Sequence, residues 1–205
     1  MWFVAGLGNP GREYEGTRHN VGFEVVSMLA DRHRYPAARD TQGAKVAKGR
    51  IGREEVLLIQ PQTYMNLSGD AIGAIVRFYK GEGSSLVVIH DELDFEPGVV
   101  RVKVGGGHGG HNGLRSIILH LGDAFVRVRV GIGKPPKDRP GADHVLSRFD
   151  GRTRAVMEKA VVTAADAVEA VVALGAPMAM GRFNRRSDAA VVAGAEAPEG
   201  REKKS

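Results

Sequence analysis

Two kinds of apolar run alternate along this chain. Trp2 to Leu7 and Leu86 to Ile89 are unbroken, the pattern of strands buried on both faces. Val99 to Val104 instead interleaves valine with Arg101 and Lys103, and Phe125 to Ile132 interleaves apolar residues with Arg127 and Arg129. That period of two predicts half-exposed strands, the arginines of the second sharing a face. Ala44 to Ile51 and Glu54 to Ile59 read as a hairpin turning at Gly52-Arg53. Between these runs the period lengthens. Val21, Phe23, Val25, Val26, Met28 and Leu29 predict an amphipathic helix from an N-cap at Asn20 to about Arg34. Ile72, Ile75, Val76 and Phe78 give the inner side of a second helix, capped by Ser68. Leu114 to Leu121 is a short third helix, Arg152 to Leu174 a long Ala/Val helix, and Pro177 to Asn184 one more helical turn. His144 to Phe149 fits no single type. Strands alternating with helices, with two hairpin connections, predict an α/β fold: a single domain with a mixed sheet.

Length and composition narrow this further. At 205 residues and 42% apolar content, one domain with a substantial core is expected. The periodicity stops after Arg185, so the domain is assigned to 1–186 and a disordered tail to 187–205, where Ala, Gly, Glu, Pro and Lys dominate. With no cysteine, thiolate nucleophiles, disulfides and Cys-based zinc sites drop out. No apolar run is long enough to span a membrane, and the apolar N-terminus lacks the basic start and long core of a signal peptide. A cytosolic protein is the plain reading. The net charge of +5 favours a polyanionic partner, while 6% aromatics argue against a base-stacking platform.

Candidate chemistry gathers where apolar strands end in polar loops. The first runs into Gly6-Leu7-Gly8-Asn9-Pro10-Gly11, a literal G-x-G-x-x-G. A dinucleotide fingerprint needs a helix to open inside that loop. Here polar sequence continues to His19, so the loop reads as a presenter of Asn9, Tyr14 and His19. The 54–59 strand leads to Tyr64, Met65 and Asn66, and the 86–89 strand ends in His90-Asp91-Glu92. Five glycines fill the six positions 105–110, ahead of His111 and Asn112, a loop able to bring bare backbone against a ligand. A loop His beside a strand-end Asp is the pairing a general base requires, and Asn amides can donate to an oxyanion without adding charge. With neither Cys nor a G-x-S-x-G elbow, water is the expected nucleophile. Each residue also has a plainer reading. His19 could bond backbone at a helix start, Asp91 and Glu92 could be solvated turn residues, Asn9 and Asn112 could serve a turn or cap, and Tyr64-Met65 could be core. His108 and His111 beside His90-Asp91-Glu92 could hold a metal, but HxxH in a glycine loop is poorly preorganised for it.

Four segments, GLGNPGREYEGTRHNVGFEVV (6–26), PQTYMNLSG (61–69), HDELDFEPGVVRVKVGGGHGGHNGLRSI (90–117) and RVRVGIGKP (127–135), resemble the bacterial-type peptidyl-tRNA hydrolases, in the family's order. The resemblance covers about residues 1–184. It implies a monomeric single α/β domain with a twisted mixed sheet between helices, cleaving the ester between peptide and tRNA without metal or other cofactor. By matching position, it makes His19 the general base and Asp91 its orienting partner. Asn66 and Asn112 would hold the peptidyl end, Tyr64 and Met65 line its groove, and Tyr14 contact tRNA. Asn9 would help to tell blocked from free aminoacyl-tRNA, and Lys103 and Arg129 would clamp the 5′-phosphate. A non-catalytic RNA-binding relative using the same groove is the alternative, although such a protein needs no His19–Asp91 pair.

Overall fold

The computed structural model describes residues 1–138 and 140–185. The tail expected at 187–205 lies outside the described residues. Seven strands form one mixed sheet: β1 (Trp2–Gly6), β2 (Arg39–Thr41), β3 (Ala44–Ile51), β4 (Glu54–Pro61), β5 (Leu86–Glu92), β6 (Val100–Val104) and β7 (Val126–Gly131). Their order is β2-β3-β4-β1-β5-β7-β6. The four inner strands β4, β1, β5 and β7 run parallel, while β3, β2 and β6 are antiparallel to their neighbours. The unbroken apolar runs are accordingly the central strands, and Leu86 to Ile89 are fully buried. Short β2 escapes the sequence pattern because all three of its residues are exposed polar ones.

Helices cover both faces. On one, α1 (Val21–Arg32) and α5 (Gly151–Leu174) pack over Val4, Val87, Ile89 and Val128; α6 (Ala176–Phe183) adjoins β6. On the other, α2 (Ser68–Phe78) and α3 (Asn112–Leu121) pack over Phe3, Ala5, Leu57 and Val88. A sheet apolar on both sides needs both layers, and the small Ala/Val face of α5 lets it lie close. Gly6 and Gly22 set the approach of α1 to β1. A Cβ on Gly22 would lie 2.4 Å from the Leu7 backbone nitrogen, and one on Gly6 2.1 Å from the Gly22 carbonyl oxygen.

Several expected boundaries shift for identifiable reasons. Ser68 opens α2 but does not cap it: Leu67 stands at the N-cap, and the Ser68 hydroxyl donates back to the Met65 carbonyl. Phe78, expected on the inner side, is 68% exposed at the last position of that helix. Asn20 stands at the N-cap of α1 without a side-chain capping bond, its amide being engaged elsewhere. The helix ends at Arg32 before Arg34 turns to φ 53°. α3 starts two residues earlier than expected, capped by His111. The undetermined stretch resolves into the short α4 (Gly141–Val145) and a strand-like bridge from Arg148 to Thr17. α6 is longer than the single turn expected, at eight residues.

The chain order sets the rim. Because β4, β1 and β5 are parallel neighbours, the loops leaving their carboxyl ends emerge side by side. This is where α/β sheets bind ligands.

Candidate active site

Asp91 is the electrostatic centre of that rim. It occupies the penultimate position of β5, buried between β1 and β7. His19 Nδ1 lies 2.9 and 3.0 Å from its two carboxylate oxygens. His111 Nε2 lies 3.0 Å from Oδ1. The tautomer of His111 follows from its other nitrogen. Nδ1 accepts the backbone N–H of Gly113 and Leu114 at the start of α3, so it carries no proton and Nε2–H must donate to Asp91. His19 likewise donates through Nδ1–H. Its Nε2 makes no hydrogen bond among the described residues and faces a cavity of about 520 Å³.

The charges follow. Burial pushes the Asp91 carboxyl up, but His19 and His111 outweigh it, and the group stays well below the usual carboxylate range. Burial lowers the His19 pKa, yet the charge and hydrogen bond of Asp91 more than offset this and leave it raised above 6.5. His90, on the neighbouring position of β5, donates from Nδ1 to the Asp91 carbonyl at 2.7 Å. Burial, helped by His111 and Arg127, pushes its pKa down to about 3, so it stays neutral wherever His19 can work.

The three loops are tied to one another. The Asn20 amide forms two bonds to Asn9, accepting its N–H and donating to its carbonyl, both at 2.9 Å. The Asn9 side-chain oxygen accepts the Met65 N–H at 2.8 Å, which fixes its amide orientation and leaves Nδ2 as a donor. Met65 is buried, its sulfur against Gly113, where a Cβ would lie 2.6 Å from it. The residues flanking His19, Asn66 and Asn112 are therefore one connected unit.

The expected site residues divide by position. His19, Asp91, Asn112, Lys103 and Arg129 line the cavity with the glycine loop and α4. Met65 and Asn9 are buried and hydrogen-bonded to each other, and neither lines the cavity. Asn66 is exposed, Tyr64 is 60% exposed, and Tyr14 sits half-buried on a 3-10 turn; none of the three lines the cavity. Lys103 and Arg129 share the cavity, but Arg129 already donates from Nε and Nη2 to Glu92, at 3.0 and 2.8 Å, and stacks on Phe95. Sequence reasoning missed His111 as a partner of Asp91, Asn20 as a brace, and Arg127 as a buried group. A larger groove of about 800 Å³ between α1 and α5 carries no such pairing, and its Arg154 is taken up by Glu24.

His19, Asp91 and His111 offer ligating atoms within 4.8 Å of one another. The donor set does not fit a metal ion in this arrangement. Both facing nitrogens carry the protons that hold Asp91, and His111 could release its proton only by giving up the cap of α3.

A histidine oriented by a buried carboxylate, open on its other nitrogen to a cavity with an amide donor, is the arrangement that hydrolases on α/β sheets can use for general-base chemistry. Comparison with known proteins gives the particular family. A family model described as peptidyl-tRNA hydrolase matches residues 3–190. The peptidyl-tRNA hydrolase of Anaeromyxobacter dehalogenans is 48% identical over 191 residues, covering 93% of this chain and 100% of that one. That of Lachnoclostridium phytofermentans is 41% identical over 187 residues, covering 91% and 98%. The crystal structure of peptidyl-tRNA hydrolase from Acinetobacter baumannii superposes with a TM-score of 0.86 at 40% identity, covering 90% of this chain and 95% of that one. This chain belongs to the peptidyl-tRNA hydrolase family. The non-catalytic RNA-binding alternative is not supported.

Proposed function

We propose that this peptidyl-tRNA hydrolase cleaves the ester of its substrate by general-base catalysis at His19, with Asp91 as the orienting partner. The observation carrying this reading is the Nδ1–H bond of His19 to a buried, ionised Asp91, which leaves Nε2 free toward the cavity. Nε2 takes a proton from water as the oxygen attacks the ester carbonyl. The imidazolium formed is stabilised by Asp91 and returns the proton to the departing ribose oxygen. Negative charge develops on the carbonyl oxygen, and the amide of Asn112, which lines the cavity, is suited to receive it, while Asn66 on the neighbouring loop holds the peptidyl end. An ester is activated enough for this chemistry.

The remaining assignments follow the connected loops. Asn9, with Nδ2 available as a donor, reads the blocked amino end of the substrate. Tyr64 and Met65 flank the peptide, and Tyr14 meets the tRNA at the rim. Lys103 and Arg129 hold a phosphate, with Glu92 as the competitor that Arg129 leaves on binding. The protein works as a monomer in the cytoplasm, where aborted translation supplies peptidyl-tRNA; no described helix is long and apolar enough to cross a membrane. Steady-state release of tRNA from peptidyl-tRNA, with and without chelator, tests the reading. Chelator-insensitive turnover by the wild-type protein is expected, and activity that depends on added metal would contradict it.

A further inference from the structure

Arg127 is 4% exposed on β7, and no ion pair holds it among the described residues. Its guanidinium donates through Nη1 to the Gly107 carbonyl and through Nη2 to the Gly106 carbonyl. It stacks 4.7 Å from the centre of the Phe125 ring, and its Nε is buried without a partner among the described residues. A buried cation satisfied so incompletely is a poor way to stabilise a sheet. The loop it holds is the one that brings His111 to Asp91.

We propose that Arg127 is a positioning residue for the hydrolysis, acting through the glycine loop on His111 and Asn112. The need for it lies in the composition of the loop. Gly106 sits at φ 101° and Gly110 at φ 83°, conformations open to glycine, and segment 105–110 has His108 as its sole side chain beyond hydrogen. Such a loop has little side chain to pack, and its own hydrogen bonds, from the Gly110 and His111 N–H groups to His108, shape only the part next to His111. Its ends are tied, by Gly105 N–H to the Phe125 carbonyl and by the His111 cap on α3. Lys103 packs against Gly106, but among the described side chains Arg127 alone ties the middle of the loop to the sheet by hydrogen bonds. The planar fork of a guanidinium can bridge two successive carbonyls, whereas an ammonium would act as a single point. Two strand positions away on the same face, Arg129 faces the same cavity but binds Glu92, so the two arginines divide the work. Arg127 holds the loop, and Arg129 stays near the substrate.

The proposal rests on the assignment of His19 and Asp91 above, and its test separates the two. The experiment is a double-mutant cycle with Arg127→Met, His111→Ala and the double variant, read as kcat on peptidyl-tRNA. Gly106 is half-buried and Gly107 exposed, so their carbonyls can turn to water and the Met variant is expected to melt close to wild type. Arg127→Met should lower kcat by roughly 10–10²-fold, the scale of a misplaced catalytic group. In the His111→Ala background the same change should cost at least about 5-fold less, because the two act as one unit. Millimolar guanidinium should restore part of the turnover of Arg127→Ala, but not of the Arg127→Ala/His111→Ala double variant. Wild-type kcat in Arg127→Met, or an equal penalty in both backgrounds without guanidinium rescue, overturns the proposal. If Arg127→Met does not melt cooperatively, Arg127→Lys takes its place in the cycle, and wild-type kcat there overturns it equally. Failure of the underlying reading would show separately, as turnover surviving in His19→Ala.

Discussion

The side-chain amide of Asn20 grips the backbone of Asn9, accepting its N–H and donating to its carbonyl at 2.9 Å each. Asn20 follows His19 in sequence, and Asn9 holds Met65, so this one amide joins the His19 segment to the loop after β4. Asn20→Ala should leave two buried backbone groups unsatisfied and lower stability by about 1–3 kcal/mol. It should also lower kcat, since His19 loses its brace. Chemical denaturation with a turnover assay checks both, and a fully stable, fully active variant would show that the brace is dispensable.

The pH profile should report the His19–Asp91 pair. His19 must be neutral to accept a proton, and Asp91 raises its pKa above 6.5 against the effect of burial. The acid limb of kcat is therefore expected above pH 6.5. Asp91→Asn removes both raising influences and leaves burial, so the limb should move to lower pH while kcat falls. An acid limb unchanged in the variant would mean that the pair does not set it.

Stability should carry a separate pH signature from His90. Its pKa falls from 6.5 when unfolded to about 3 in the fold. Only the unfolded chain takes up this proton between those values, so stability is complete above 6.5 and declines as pH drops toward 3. One such proton gives a slope of about 1.4 kcal/mol per pH unit. His19 adds nothing to that slope well below 6.5, being protonated in both states. Asp91 begins to contribute only as pH falls below its unfolded value, near 3.8. Urea midpoints of wild type and His90→Gln between pH 6.5 and 4.5 should diverge, the variant being the flatter. Parallel curves would contradict a buried neutral His90.

Lys103 and Arg129 give a salt-dependent prediction. Lys103 lines the cavity with no ion pair among the described residues, while Arg129 is shared with Glu92. Lys103→Ala should raise KM, spare kcat, and flatten the dependence of log KM on log salt by roughly 0.7–0.9, the increment for one neutralised phosphate. Glu92→Gln frees the Arg129 charge and should lower KM. Salt plots parallel to wild type in Lys103→Ala/Arg129→Ala would remove the phosphate clamp.

The sequence was most readable where one signal decides. The unbroken run Leu86 to Ile89 has the pattern of a strand buried on both faces, and its abrupt end in His90-Asp91-Glu92 placed the carboxylate at the strand end, where the structure has it. The resemblance then singled out His19, and the structure brings it to Asp91. What escaped were the relations set by distance in space. Nothing in the pattern around Asn20 says that its amide turns back to Asn9 rather than capping α1, because both uses suit the same residue type. His111 was legible as a histidine but not as a cap, since its tautomer depends on where α3 begins. Arg127 and Arg129 look alike in an alternating strand. Only the packed glycine loop and the nearby Glu92 tell them apart.

The central claim, that His19 activates water, is tested most directly by the turnover of His19→Ala on peptidyl-tRNA, compared with its binding of tRNA and its thermal melt. The variant should fold, bind tRNA about as well as wild type, and lose kcat by roughly 10²–10⁴-fold, the contribution of a positioned general base. Near-wild-type turnover in a folded His19→Ala protein would contradict the mechanism.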